Sequence, residues 1–305
     1  MVRPSRFVPG PLVRWFARPY VAGGSMAAGL ETALALREEE GSLATMDLLG
    51  EAVHEDFHVL RHVAAYESLI DALGQDPRFE DRATRPTVSV KPSAFTTGEP
   101  AAAGVRLAAL ADRARARGVA LTIDMEDRAW TERTIRWAVD LFRHGHDVGT
   151  VFQTRLHRTE ADLDQIPAGM RLRLVIGIYP EPAPYALQDK AAMKERMLAY
   201  ARTLLQRGVY VEFATHDEAC LASFLQDVAP IAPDRCELQM LLGVPRSGFL
   251  RRHAAGEFGV VLPVRRYVPF ALSWDDATAY LRRRMDESPN LIRSVLTNLV
   301  KPAKR

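Results

Sequence analysis

The chain has 305 residues, 48% apolar and 26% charged, enough for two average domains or one large barrel with a sizeable core. Forty basic against 38 acidic side chains leave a net charge of +2, too small to select a nucleic acid or other polyanion as partner. Two cysteines, Cys220 and Cys236, exclude a disulfide framework and an all-cysteine zinc or iron–sulfur site, and the apolar runs are too short for a membrane span or a signal peptide, so a soluble cytoplasmic protein is expected.

In chain order, Met1 to Tyr20 mix Arg, Pro and aromatic residues without a sustained period and read as an extension or edge helix. Beyond it, short apolar or β-branched runs alternate with longer helical segments. The strands are expected at Leu43–Leu49, Thr87–Lys91, Val119–Met125, Val148–Gln153, Leu172–Ile178, Val209–Ala214, Glu237–Leu242 and Val260–Val268. Helical period marks Ala101–Arg117, Glu132–Phe142, Met193–Arg207 and Glu218–Val228, and Gly118 and Gly208 stand where helix C-caps are expected. Eight β/α units with no G-x-G-x-x-G loop favour a (β/α)8 barrel over a doubly wound sheet. The chain accordingly divides into an N-terminal extension and helix, residues 1–41, and a barrel, residues 42–305.

A barrel places its site at the C-terminal strand ends. Those positions carry Asp47, Lys91, Asp124 with Glu126 and Asp127, Gln153, Arg173 with Tyr179, Thr215 with His216 and Asp217, Gln239, and Arg266 with Tyr267. So many polar ends point to a ligand-filled mouth.

Four constellations stand out. On the last helix Tyr280, Arg283, Arg284 and Glu287 share one face. That face is either solvated, with an Arg283–Glu287 pair, or a two-guanidinium clamp for a carboxylate. Lys91 ends an alternating strand in a chain where five of the 40 basic residues are lysines. It reads as a snorkelling edge residue, as a fixed ammonium for the same carboxylate, or as a Schiff-base lysine of a barrel aldolase. Past the third strand Asp124, Glu126 and Asp127 offer a base or a Mg²⁺ ligand, with Glu126 and Asp127 better placed to start a turn or cap a helix. Thr215, His216 and Asp217 form either an ordinary N-cap or a phosphate-binding helix start. No H-x-x-x-H spacing supports a transition-metal site.

Taken in order, Met46-Asp-Leu-Leu-Gly-Glu, Val88-Ser-Val-Lys91, Ile123-Asp124-Met-Glu-Asp, Val151-Phe-Gln153, Arg173-Leu-Val-Ile-Gly177-Ile-Tyr179, Phe213-Ala-Thr-His-Asp217, Glu237-Leu-Gln239-Met-Leu241, Tyr267-Val-Pro269 and Tyr280-x-x-Arg283-Arg284-x-x-Glu287 carry a family resemblance from about Val21 to Val300. The chain resembles proline dehydrogenase in its short, single-function bacterial form. The resemblance implies an α/β fold, a distorted (β/α)8 TIM-type barrel with an N-terminal helical extension, that binds FAD noncovalently over the strand ends. It implies oxidation of L-proline to 1-pyrroline-5-carboxylate by hydride transfer to flavin N5, with electrons passed to a quinone. Loose contact with the inner membrane face and a pyrroline-5-carboxylate dehydrogenase as partner go with that reading. By the match, Lys91, Arg283 and Arg284 grip the substrate carboxylate, Asp124 orients the lysine, and Glu287 holds the arginine pair. Tyr267, Tyr280 and Leu241 wall the ring. The flavin side comprises Gln153, Arg173 near the N5 edge, Val175, Gly177, Thr215, His216 and Gln239.

Departures from the family pattern lie close by. Ile176-Gly177-Ile178-Tyr179 stands where Lys-Gly-Ala-Tyr is usual, which removes a cation from the flavin region and puts a larger side chain near the ring. Pro92 replaces Leu, Phe270-Ala271 replaces Tyr-Gly, and Leu242 stands where Tyr is common. They raise two alternatives: a homologue oxidising another cyclic imino acid such as a hydroxyproline, and a flavin-free carboxylate-binding pseudoenzyme.

Overall fold

A computed structural model describes residues 18–50 and 55–278. Tyr280, Arg283, Arg284 and Glu287 lie outside the described residues. Eight parallel strands close into a barrel in sequence order. They are β1 (Leu43–Leu48), β2 (Thr87–Val90), β3 (Leu121–Ile123), β4 (Val148–Gln153), β5 (Arg171–Val175), β6 (Tyr210–Ala214), β7 (Cys236–Leu241) and β8 (Val264–Phe270). Closure runs through β1 and β8, where Leu43 pairs with Arg265 and Leu48 with Phe270.

The helices are α1 (Met26–Glu40), α2 (Asp56–Gln75), α3 (Pro100–Arg117), α4 (Arg128–Arg143), the single turn α5 (Thr159–Asp162), α6 (Lys190–Gln206), α7 (Glu218–Ser223) and α8 (Ser247–Ala254). Their ends follow local chemistry. Ser25 accepts the Ala28 N–H at the start of α1, and Asp189 accepts those of Ala191 and Ala192 at the start of α6. Gly118, at φ 62°, ends α3 in the left-handed conformation, its N–H returning to the last-turn carbonyls. The helix expected over Glu218–Val228 changes hydrogen-bond pattern midway. α7 passes at Phe224 into a wider π turn through Val228, where the Phe224 ring stacks on Phe213 of β6 with centroids 4.0 Å apart.

The largest departures from the expected strand boundaries are the end of β5 and the start of β8. β5 stops at Val175 because the chain turns at Gly177, φ 95°. β8 starts at Val264 rather than Val260, since Pro263 has no N–H for a ladder and serves through its carbonyl, which accepts from Leu238.

The strands alternate in a way that decides the site. Outward residues such as Met46, Val88, Val90, Leu172, Leu174, Val211, Phe213 and Leu238 pack under the helices, where the apolar core lies. Most inward positions, Gly149 and Val151 of β4 aside, are polar: Thr45, Asp47, Ser89, Thr122, Gln153, Arg171, Arg173, Glu212, Glu237, Gln239, Arg265 and Tyr267. The interior of the barrel is thus a column of charge inside an apolar sleeve. Residues before α1 lie along the barrel rim, with Ala22 N–H donating to Pro269 O (2.8 Å) and Ala271 N–H to Gly23 O (3.0 Å). Among the described residues no helix is long and apolar enough to cross a membrane.

Candidate active site

Inward strand parity brings Asp47, Ser89, Lys91, Asp124, Arg173, Gln239 and Tyr267 to one buried cluster at the barrel mouth. Lys91 is 6% exposed, and its ammonium donates to Asp47. It also stands 3.5 Å from Asp124 Oδ2 and donates to the Tyr267 hydroxyl at 3.3 Å. Burial works against its charge, but Asp47, Tyr267 and Asp124 outweigh it and hold the ammonium's pKa well above the ordinary lysine value. The snorkelling reading therefore fails: the charge is inside, and it is paired.

Asp124 is more fully engaged than a partner for one lysine. Its Oδ1 accepts from Ser89 Oγ (3.0 Å) and Arg173 Nη1 (2.8 Å), and its Oδ2 from Tyr267 OH (2.7 Å). Desolvation would raise its pKa, yet Lys91 and Arg173 prevail and lower it, so Asp124 is a carboxylate. Burial, then the charges of Asp124 and Asp47, push the Tyr267 phenol well above its usual pKa, leaving it protonated as a donor. The expectation that Asp124 orients Lys91 is thus sharpened, because Asp47 of β1 is the nearer carboxylate.

Arg173 links the mouth to the charges beneath it. Its Nε donates to Gln239 Oε1 (2.5 Å) and lies 3.5 Å from Glu212 Oε2. Glu212 in turn accepts from Arg171 (2.9 Å), and Glu237 receives the fork of Arg265 at 2.6 and 3.0 Å. Three buried cations, Lys91, Arg173 and Arg265, and the half-buried Arg171 thereby face four buried carboxylates, Asp47, Asp124, Glu212 and Glu237. Pairing of this kind removes most of the desolvation penalty, and deleting one member would leave a buried charge exposed to it.

The strand ends β4 to β7 behave differently. Gln153 donates to Glu126 O (2.7 Å), yet its Oε1 is buried without a partner. Gly177 sits against it so closely that a Cβ would stand 2.5 Å from that oxygen. Thr215 Oγ1 accepts from Asp217 N–H (3.2 Å), and Val175 is half-buried at the end of β5. His216 accepts the Leu241 N–H on Nε2 (3.3 Å), leaves Nδ1 buried and unpartnered, and has its pKa pushed down to about 4 by burial and by Arg246 and Arg266. Leu241 is 45% exposed at the rim. Buried polar atoms without partners are uncommon in a finished interior, and although others lie elsewhere among the described residues, Gln153 Oε1 and His216 Nδ1 stand where a polar ligand would satisfy them.

Other strand-end residues serve structure. Asp127 caps α4 through Ala129 N–H (2.9 Å), Glu126 accepts the Ser93 N–H (2.8 Å), and Asp217 caps α7 while pairing with Lys194 (2.6 Å). Arg266, expected in the mouth, points outward to Glu40 (2.8 Å), because strand alternation gives the interior to Arg265 and Tyr267. Sequence reasoning left Asp47 without a role and overlooked Ser89, Glu212, Glu237 and Arg265. The signal was present: polar residues two apart in Arg171/Arg173, Glu237/Gln239 and Arg265/Tyr267.

Comparison with known proteins agrees with this geometry. The family model described as proline dehydrogenase matches residues 30–179. A proline dehydrogenase of Deinococcus radiodurans is 30% identical over 297 residues, covering 93% of this chain and 90% of the relative. Proline dehydrogenase 1 of Bacillus subtilis strain 168 is 28% identical over 288 residues, covering 93% and 91%. Among solved structures, proline utilization A of Bdellovibrio bacteriovorus superposes with a TM-score of 0.78 over 96% of this chain at 20% identity, a likeness of fold. This chain spans 34% of that longer one. Fold, paired cluster and full-length relatives agree: the chain belongs to the proline dehydrogenase family.

Proposed function

We propose that this chain oxidises L-proline to 1-pyrroline-5-carboxylate with noncovalently bound FAD, the electrons passing on to a quinone. The observation that carries the reading is the buried ammonium of Lys91, fixed beside the Tyr267 hydroxyl and ring at the barrel mouth and next to strand ends with unsatisfied polar atoms. Lys91 binds the substrate carboxylate together with Arg283 and Arg284, which Glu287 holds in place. Tyr267, Tyr280 and Leu241 wall the ring and exclude water. Asp124 and Asp47 keep the lysine charged and in position. The amine must be unprotonated for its lone pair to assist hydride loss, and a cationic pocket favours that form by lowering the amine's pKa.

The residues of β4 to β7 fit a flavin. Gln153 Oε1 and His216 Nδ1 lack partners, and the bare Gly177 backbone leaves room that a Cβ would fill. Gln153, Arg173, Val175, Gly177, Thr215, His216 and Gln239 would hold the cofactor, which when bound supplies the hydride acceptor. Once formed, the cyclic imine opens by hydrolysis to a semialdehyde, so a pyrroline-5-carboxylate dehydrogenase is the natural partner downstream.

The visible spectrum tests the proposal. Purified protein carrying a flavin band that bleaches anaerobically with L-proline supports it, and Arg283→Met then raises KM for proline far more than it loosens FAD. A flavin that bleaches only with a substituted imino acid selects the second reading, which the departures at Ile176 and Ile178 motivate. A colourless protein that takes up no added FAD overturns both in favour of a carboxylate-binding pseudoenzyme.

A further inference from the structure

Arginines at the β4–β5 rim have carboxylate partners, with one exception among the described residues. Arg128 pairs with Glu181 (3.1 Å), Arg158 with Asp162 (2.6 Å) and Arg173 with Asp124 (2.8 Å). Arg155, directly after β4, pairs with none. One of its terminal nitrogens donates to the Tyr179 carbonyl, and its Nε is buried with no acceptor. The side chain lies against the tight turn after β5: a Cβ on Gly177 would stand 3.0 Å from Arg155 Cδ, as well as 2.5 Å from the unpartnered Gln153 Oε1. The neighbouring Ile176 contributes its backbone oxygen, which accepts the Arg155 N–H at 3.3 Å, and no charge.

A half-buried guanidinium without a counter-ion carries a desolvation cost that one carbonyl, here that of Tyr179, offsets only in part, unless an anion arrives. Arginine is suited to that anion when it is a phosphate, because the guanidinium fork matches two oxygens at once. The anion implied by the proposed function is the diphosphate of FAD. We infer that Arg155 is the cation that binds the diphosphate of the cofactor in this chain, with the Tyr179 carbonyl holding its fork against the Gly177 turn. The inference rests on the FAD reading and extends it to a residue that neither the motif match nor the mouth cluster includes. The carboxylate ladder through Arg173 leaves that arginine committed to Asp124 and Gln239, so the charge for the diphosphate has to come from elsewhere.

The test is FAD affinity of the apoprotein, read by flavin fluorescence for the wild type, Arg155→Lys, Arg155→Gln and Arg155→Leu, with thermal unfolding of each apoprotein alongside. Arg155→Gln retains a donor for the Tyr179 carbonyl, so it separates charge from loop support. The expected result is a Kd raised about tenfold or more in the Gln and Leu variants and by less than half as much in the Lys variant. Oxidised and reduced FAD weaken equally, so the bound flavin's midpoint potential stays unchanged. Wild-type affinity in Arg155→Gln overturns the inference, and so does a weakening confined to one redox form, which would place the charge at the ring. A wild type that binds no FAD overturns the function reading itself, whereas a wild type and variants that bind FAD equally overturn only the role of Arg155.

Discussion

The two halves of the barrel mouth are built on opposite principles. On the side of β1, β2, β3 and β8, the charged groups of the mouth cluster have partners among the described residues before any ligand arrives: Lys91 with Asp47, and Asp124 with Arg173, Ser89 and Tyr267. On the side of β4 to β7, Gln153 Oε1, His216 Nδ1 and Arg155 Nε are buried without partners. A small, rigid imino acid has few contacts with which to order its site, so the groups that hold it are fixed in advance by the fold. A large cofactor can supply hydrogen bonds along its whole length, so its half can leave those bonds open until it binds. The paired half is therefore expected to govern turnover and the open half cofactor retention.

The sharpest way to break that division is Lys91→Met. It removes the ammonium that Asp47 and Asp124 share, and kcat/KM for proline should fall on the order of a hundred- to thousandfold, with FAD affinity nearly unchanged. The apoprotein should also lose about 3–5 kcal/mol, because the buried Asp47 loses the ammonium that neutralises it, while Asp124 keeps Arg173. Loss of flavin in step with activity would show that the halves are not separate. Gly177→Ala works from the other side. A methyl group there meets Gln153 Oε1 at 2.5 Å on a backbone at φ 95°, so folding should cost about 1–2 kcal/mol and FAD should bind roughly ten- to a hundredfold more weakly. KM for proline in the flavin-loaded fraction should hardly move.

The smallest effect is a pH slope. His216 has a pKa near 4 in the folded chain against 6.5 for the free side chain, so the unfolded state binds more protons between those values. Its contribution is whole above about pH 6.5 and drains away as the pH falls towards 4, about 3 kcal/mol at most. Chemical denaturation of the apoprotein from pH 7 to 4 should show that loss, and His216→Asn should flatten it. Asp124 has a lowered pKa, so its own loss comes only below the ordinary carboxyl range and does not blur the slope. An unchanged slope in His216→Asn would mean that other groups bear the acid sensitivity.

Much of this was legible in the order of residues, and the reasons are local. Strand and helix periods, Asp127 before α4 and Gly118 after α3 depend on neighbours within a turn, so the eight β/α units could be read directly. Lys91, Asp124 and Tyr267 were visible because a barrel puts its chemistry at strand ends. Arg266 was misread for a related reason. Two adjacent polar residues on β8 cannot both face inward, and which one does depends on the register with β1 and β7.

Composition and pattern by themselves determined the fold class, the location of the mouth and the family, since each rests on short-range periodicity or on motif order. Tertiary structure alone decided that Asp47 is the nearer partner of Lys91, that Arg173 is tied to Asp124, and that Arg155 has no carboxylate partner among the described residues. The partners in those pairs lie between 44 and 49 residues apart and meet only when the barrel closes. Coulomb energy depends on distance in space and on burial, and neither is written in the spacing of residues along the chain.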